Sequence, residues 1–506
     1  MYTDVVRLSH YASLGEGAGI GTAQDLAELQ KAMFAGSITG QQNITQNATG
    51  GSVLKVESLE NTLTWLSSKE TDIVLWNKIP KSPAYNTVEE FNQLVDYGEE
   101  GNSFNNEGEL PQEDDATYKR NSTLIKFMGS TGSVSHPMQL VKTQAEIGDI
   151  MQHKIRTSTL KVLRDVDRKI LTGNSAVIPQ EFDGIYTQQI NSFASIDAWY
   201  QSEVVIDLKG KALTEDAFQD AALAIVENYG RGTMFMSPPS ILTNFAKRFH
   251  SFKLIQPNTP AVSGAEVGEN VLKFWSQFGM IDLGYDLFMA KMLSKKRFKT
   301  TTDTKTNTNA PDAPVADATT PKAAATDTSG QFLAAFAGDY YYAVSAINRY
   351  GESPLAVLAT GGAPNAKVTL TAAQVADLKF TDGGGPVAAT GYRIYRSVLS
   401  ETSTTAAGAK FYPLFDISVA QLAAGYNGAA AGLVRDKNYF IPNTESAFLI
   451  DPIYENWRFK QLAPLMKMDL PNLGPASRFM VLLYGSPQLA APKKIVRFIN
   501  VGVSLA

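Results

Sequence analysis

The segment that most restricts the fold is the last one. "SRFMVLLYGSPQLAAPKKIVRFINVGV" (477–503) carries long apolar stretches bounded by Gly and Pro, and "NTESAFLIDPIYENWRFKQLAPLMKMDL" (443–470) before it reads the same way. Such runs are strands, and they are too apolar to be left in water as a tail. They must complete a sheet formed earlier in the chain. The residues between that earlier part and these strands are of a different kind. From Lys299 to Gly330, "KTTTDTKTNTNAPDAPVADATTPKAAATDTSG" has no aromatic residue and Val315 as its single large aliphatic; it reads as linker or first edge strand. In "YYYAVSAI" (340–347), Tyr340, Tyr342, Val344 and Ala346 point one way and Tyr341, Ala343, Ser345 and Ile347 the other. After the turn "NRYGES", the stretches "GYRIYRS" (391–397), "KFYPLFDISV" and "GLVRD" follow. Short strands separated by Gly, Ser and Pro predict an all-β sandwich. It is inserted into the main fold at 299–438 rather than appended to it.

Ahead of the insertion, helices alternate with strands, which argues for a mixed α/β or α+β body. The clearest helix is "TQAEIGDIMQHKIRTSTLKVLRDVDRKILTG" (143–173). Ile147, Met151, Ile155, Thr159, Val162, Val166 and Ile170 recur every three or four residues. Thr143 and Glu146 form a capping box, Gly173 closes the helix, and the expected length is ~43 Å. Its polar face holds Lys154, Arg156, Lys161, Arg164, Arg168 and Lys169 beside Asp165 and Asp167. Such a face suits nucleic acid, or, when solvated, a lacing of i,i+4 ion pairs. "TEDAFQDAALAIVENYG" (214–230) is a second amphipathic helix, capped by Thr214 and stopped by Gly230. "TMFMSPPSILTNFAKRF" (233–249) is strand-like, and "FGMIDLGYDLFMA" (278–290) is a buried strand.

Residues 82–118 contain ten Asp or Glu and no Lys or Arg. "TVEEFNQLVDYG" (87–98) and "ATYKRNSTLIKFMG" (116–129) flank the tip "EEGNSFNNEGELPQEDD" (99–115), the plan of a long hairpin of about 40 residues. A two-stranded ribbon is marginal alone and needs something to lie on. The candidate contacts are Phe91, Tyr97, Phe104, Glu107, Glu109, Asp114, Asp115 and Lys119. The carboxylates do not match EF-hand ligand spacing, so solvation or pairing with a basic surface on a neighbour is the expected use. Residues 1–55 are Gly-, Ser-, Thr-, Asn- and Gln-rich with one short helix, and read as an arm that orders against something else. Leu59, Leu63 and Leu66 then fall at helical spacing.

Chemistry is conspicuous by what is missing. A chain of 506 residues has room for about three domains, and its net charge of −5 argues against whole-molecule binding to nucleic acid. With no cysteine, disulfides, thiolate nucleophiles and Cys-ligated zinc are excluded. The histidines are His10, His136, His153 and His250, with no pair at metal-binding spacing. There is no G-x-S-x-G elbow, P-loop or H-E-x-x-H, and "TDGGGPVAATG" (381–391) is a turn without the following helix that a phosphate cradle needs. No catalytic residue, cofactor or metal is expected. The start of the chain lacks an apolar signal core, so the protein is expected to be soluble where it is made.

The order of parts resembles one family, the major capsid proteins of tailed bacteriophages with the Hong Kong 97-like fold. That order is polar arm, acidic hairpin, long capped helix, α/β body and strand-rich return. The likeness spans about 1–298 and 439–506, and includes "LTGN…PQEFDGI" (171–185) and "FLIDPIYENWRFKQLAPL" (448–465). It implies an α+β fold with an N-terminal arm (1–55), the start of a peripheral P-domain (56–81) and an E-loop hairpin (82–130) that overlaps the neighbouring subunit. The P-domain would continue through 131–213 with helix 143–173 as its spine. An axial A-domain would begin at 214–298, and 439–506 would return to both. The implied function is self-assembly, as hexamers and pentamers, into the icosahedral shell of a phage genome in the host bacterial cytoplasm. Scaffold, portal and decoration proteins are possible partners in that reading. Packaged DNA would be held non-specifically, with the basic face on the inner surface. The insertion resembles an immunoglobulin-like or fibronectin type III-like domain and would be an outward knob. It would stabilise the lattice or make weak contact with host glycans through Tyr341 and Tyr350. Some members of the family cross-link a hairpin Lys to a neighbour's Asn. Here Lys119 is the nearest candidate and nothing marks it out, so no cross-link is expected. An encapsulin-like compartment shell would share this fold. A polysaccharide-acting enzyme with a fibronectin-like module would need a catalytic acid pair and, usually, a secretion signal.

Overall fold

The computed structural model describes residues 69–98, 104–110, 113–141, 149–193, 204–248, 272–289, 297–317, 322–323, 327, 329–358, 367–403, 405–472 and 474–503. The expected arm, the leucine spacing at 59–66 and the capping box at Thr143 and Glu146 lie outside the described residues. Strands are numbered β1–β23 and α-helices α1–α7 along the chain.

Two sheets make the body, and the C-terminal strands are interior in both. The first contains, in spatial order, β5 (Val205–Asp207), β23 (Ile495–Gly502), β20 (Thr444–Ile450), β6 (Met234–Ser237), β8 (Gly279–Tyr285) and β7 (Lys273–Ser276). The second contains β1 (Lys81–Pro83), β21 (Trp457–Leu470), β22 (Ala476–Leu489) and β4 (Lys126–Ser135). The closing segments therefore complete sheets begun before the insertion, as their hydrophobicity requires.

Strict alternation gives the six-stranded sheet two covered faces. Phe235, Ala447, Leu449, Val496 and Phe498 pack with Phe218 and Ile225 of α5 (Glu215–Glu227) and with Ile241 and Phe245 of α6 (Pro239–Arg248). Their neighbours Met234, Met236, Phe448, Ile450 and Ile495 point the other way. They share a core with α1 (Leu75–Lys78), with Val162, Val166 and Ile170 of α3 (Ile150–Thr172), and with Trp457, Phe459 and Leu483 of the second sheet.

Two elements differ from the sequence reading. The spine helix α3 begins at Ile150, not near Thr143. Asp149 is extended and its carboxylate accepts the Met151 N–H at 2.9 Å, which makes it the N-cap. Its 23 residues span ~35 Å. The strand-like 233–249 is half helix: Pro238 and Pro239 cannot continue a central strand, and Pro239 opens α6 at the position where a missing N–H costs nothing. α2 (His136–Leu140) and α4 (Ile185–Phe193) complete the body.

Among the described residues, strands of the insertion pair only with each other. These are β9 (Val315–Ala316), β10 (Lys322–Ala323), β11 (Gly338–Tyr340), β12 (Tyr342–Asn348), β13 (Gly351–Glu352), β14 (Ala356–Val357), β15 (Val368–Leu370), β16 (Ala376–Thr381), β17 (Gly391–Arg396), β18 (Tyr412–Ser418) and β19 (Leu433–Asp436). One sheet is built on β12, β17 and β18 and another on β16 and β19. Tyr340, Tyr342, Val344 and Ala346 share a core with Leu378, Phe380 and Val434, as the alternation predicts. The opposite face is covered too. Tyr341 packs with Ala343, Tyr395 and Phe411 and is 1% exposed, so it cannot be offered to a glycan; Tyr350 is 45% exposed. Short α7 (Val419–Ala424) follows β18.

Candidate assembly surface

The hairpin pairs β2 (Val88–Asp96) with β3 (Thr117–Leu124), antiparallel, with Phe91 opposite Asn121 and Gln93 opposite Lys119. It stops at Leu124, short of the expected 129–130. Ile125 turns inward and is buried, and the chain then enters β4 of the body. Of the predicted contacts, Tyr97 is 86% and Phe104 89% exposed, and Glu107, Glu109, Asp114 and Asp115 are exposed. Phe91 and Lys119 are half-buried in the ribbon. Tyr85, Leu94, Val95, Leu110 and Tyr118 are exposed as well. Large apolar groups gathered on one projection and rimmed by carboxylates mark a surface for association.

The root of the ribbon is fixed by residues that sequence reasoning did not single out. The Glu89 carboxylate accepts the Tyr85 N–H at 2.7 Å and the Asn86 N–H at 3.1 Å, and it pairs with Lys460 of β21 at 3.6 Å. Burial acts to raise its pKa, but those N–H groups and the Lys460 ammonium outweigh it and hold the carboxyl below its ordinary value. The Gln93 amide donates to the Ala490 carbonyl, and Asn121 donates to Gln93 at 2.5 Å. The ribbon therefore leaves the body in a set direction. No short-range signal in the sequence links Glu89 to Lys460.

Along the predicted basic face of α3, several cations have partners within the subunit. Lys154 donates to the Ser133 carbonyl at 2.7 Å, Arg156 pairs with Glu70 at 3.0 Å, Arg164 with its neighbour Asp165 at 3.3 Å, and Lys169 with Glu181 at 2.7 Å. Arg168 is partly buried, and its Nε is buried without a hydrogen-bond partner. Lys161 is exposed.

The stretch "LTGN…PQEFDGI" is a tight backbone crossing after α3. The Gly184 N–H donates to the Gly173 carbonyl at 2.9 Å, and a Cβ on Gly184 would lie 2.6 Å from the Gly173 nitrogen. Asp183 accepts the Ser175 N–H at 2.8 Å and Thr187 donates to the Gly173 carbonyl at 2.6 Å. Among the described residues, no group of three or more His, Asp or Glu is placed to hold a metal, and no helix is long and apolar enough to cross a membrane.

The sequence profile of the SU10 major capsid protein family matches residues 38–310, more than half of the chain. The major capsid protein of Staphylococcus phage S25-3 is 23% identical over 456 residues, covering 88% of this chain and 90% of that one. Among solved structures, the capsid of an empty GTA particle aligns over 91% of this chain and 100% of its own, at 11% identity and a TM-score of 0.40. The SrpI encapsulin of Synechococcus elongatus PCC 7942 aligns over 91% and 98%, at 8% identity and a TM-score of 0.36.

Proposed function

The chain belongs to the SU10 major capsid protein family and is a structural component of a phage virion that forms its multimeric icosahedral shell; from this premise we propose that the β2–β3 hairpin is the E-loop that clasps the adjacent subunit. The observation that carries this reading is an anchored ribbon whose distal aromatics, Tyr97 and Phe104, have almost no intramolecular cover. Buried against a neighbour, each would contribute about 1.5–3 kcal/mol, and each contact repeats at every subunit. The four-stranded sheet with α3 then serves as the P-domain of a Hong Kong 97-like subunit, and the six-stranded sheet with α5 and α6 as its A-domain. Subunits gather as hexamers and pentamers, assembled in the host cytoplasm.

The segment 299–438 is an immunoglobulin-like knob on that subunit. Its strands pair among themselves, and it rests on the body where Ile347 meets Val177 and Ile178. Its role is to stabilise the lattice. With Tyr341 buried, a glycan-binding role has lost half its support. The chain has no catalytic role, and its shell carries no Lys–Asn cross-link, so assembled particles run as monomer on denaturing gels. The test of the hairpin's role is a chain lacking residues 99–115. It folds, by unchanged far-ultraviolet circular dichroism and cooperative melting, yet forms no shells; normal shells from that chain would overturn the reading.

A further inference from the structure

Helix α5 ends in a turn that holds an aromatic residue in a strained conformation. Its C-cap, Asn228, donates its side-chain amide to the Ala224 carbonyl at 2.8 Å. The Tyr229 N–H then donates to the Val226 carbonyl, and the Gly230 N–H to the Ile225 carbonyl, both at 2.9 Å. This reversal places Tyr229 in the left-handed region, at φ 59°. Glycine is the ordinary residue there, because a Cβ crowds the backbone. Asn, whose short amide tolerates the conformation, holds several other such positions, and Tyr229 is the one aromatic among the described residues that adopts it.

The strain returns nothing to its own subunit. Tyr229 is 93% exposed, more than Tyr97 or Phe104 of the hairpin. The turn beneath it is fixed. The Arg231 N–H donates to one oxygen of Asp451 at 3.1 Å, the same oxygen accepts the Asn456 amide at 2.9 Å, and Asp451 is itself buried. A Cβ on Gly230 would lie 2.9 Å from Ile225, 3.1 Å from Lys494 and 3.2 Å from Asp451, so the backbone beside the tyrosine is pressed against the body. Arg231 is exposed and Lys494 half-buried, which gives the ring a basic rim. A backbone outlier without local benefit points to function. A rigid pedestal lowers the ordering cost of a contact, and Tyr and Arg are the side chains enriched where interfaces bind most strongly.

We propose that Tyr229 is a preformed knob that seats in a carboxylate-bearing surface of a second copy of this chain, with Arg231 pairing at its rim. Two observations select a second copy. The chain forms a multimeric shell, in which copies of itself surround each subunit. Those copies also carry the matching charge: the net charge is −5, and residues 82–118 hold ten Asp or Glu without Lys or Arg. One knob and one socket on every subunit make a head-to-tail contact, the kind that closes rings. The inference rests on shell formation and not on the role of the hairpin.

The test uses the full-length chain. Tyr229→Gly removes the ring and the strain together. The unassembled subunit is expected to melt higher than wild type, yet the threshold concentration for shell formation, followed by light scattering, should rise about fivefold or more. A lower melting point would show that the ring serves its own subunit, and an unchanged threshold that it touches no other; either result overturns the proposal. Arg231→Glu should also raise the threshold, most at low salt, and an unchanged threshold there overturns the pairing at the rim. A photoreactive benzophenone amino acid at position 229, carried by a minority of subunits in wild-type shells, gives the direct readout. Covalent dimers support the contact. Monomer alone, or attachment to nucleic acid without a second chain, overturns it. The chain lacking 99–115 tests the hairpin separately, so failure of one reading leaves the other standing.

Discussion

Replacing Arg396 with methionine tests whether the insertion is energetically its own unit. The guanidinium is 1% exposed and lies against the rings of both Phe332 and Tyr340, 5.0 and 4.9 Å from their centroids. It donates to Asp436 at 2.5 Å and to Asn438 at 2.5 Å. Methionine fills much of the volume but leaves Asp436, itself 1% exposed, as a buried carboxylate with only the Tyr342 hydroxyl and the Asn438 N–H for partners. Breaking a buried pair from one side costs about 3–5 kcal/mol. The double variant Arg396→Met with Asp436→Asn removes the stranded charge, and its amide can accept the Asn438 N–H through oxygen and donate through NH2 to the Tyr342 hydroxyl oxygen, so it is expected to recover more than half of that loss. Because β9–β19 form no ladder with the body strands, the damage should be local. Hydrogen exchange should accelerate across 338–436 while β20–β23 stay protected, and shells should still assemble. A single-variant cost below about 1 kcal/mol, a double variant no better than the single, or loss of protection throughout the body would refute the reasoning.

Other outcomes follow from the hairpin and the turn after α3. Lys460→Met removes the cation at the ribbon's root; amide exchange at Tyr85 and Asn86 should rise several-fold and shell yield should fall with little change in melting. Glu89 is held below its ordinary pKa, so its contribution is present above the ordinary glutamate range and lost as the pH falls through the depressed value; acid should loosen the ribbon's root in wild type, while Glu89→Gln, which keeps an oxygen for both N–H groups but has no charge for Lys460, should show no such acid dependence. Tyr97→Ser with Phe104→Ser should leave subunit stability within about 0.5 kcal/mol and still impair assembly, measured by light scattering. Gly184→Ala puts a Cβ 2.7 Å from the Lys169 oxygen and 2.6 Å from the Gly173 nitrogen, and should cost about 3 kcal/mol by chemical denaturation.

What could be read from the sequence was whatever local pattern decides. The Tyr340–Ile347 alternation, the apolar closing strands and the acidic ribbon each follow from side-chain period and turn chemistry, and each is where it was expected. Element ends were less legible. The start of α3 depends on Asp149 taking an extended conformation, which a continuous apolar period through Ile147 does not reveal. The Pro238–Pro239 pair lies inside a strand-like apolar stretch, yet it follows the end of β6 and opens α6. The least legible features join residues distant in the chain. Glu89 with Lys460, Asp167 with the Trp76 N–H, and the burial of Tyr341 under Phe411 need the tertiary fold before they exist. The partners of the basic face are illegible for the same reason: a helical wheel counts charges but does not show that Glu70, Glu181 and the Ser133 carbonyl come to meet them.

Electron microscopy of the purified full-length chain, with sedimentation of the same sample, tests the central claim most directly. Closed icosahedral particles of uniform diameter, built from the subunit with its hairpin laid on the neighbour, are the predicted result. A monomer or small oligomer that persists at high concentration, under conditions where the subunit is folded, would contradict it.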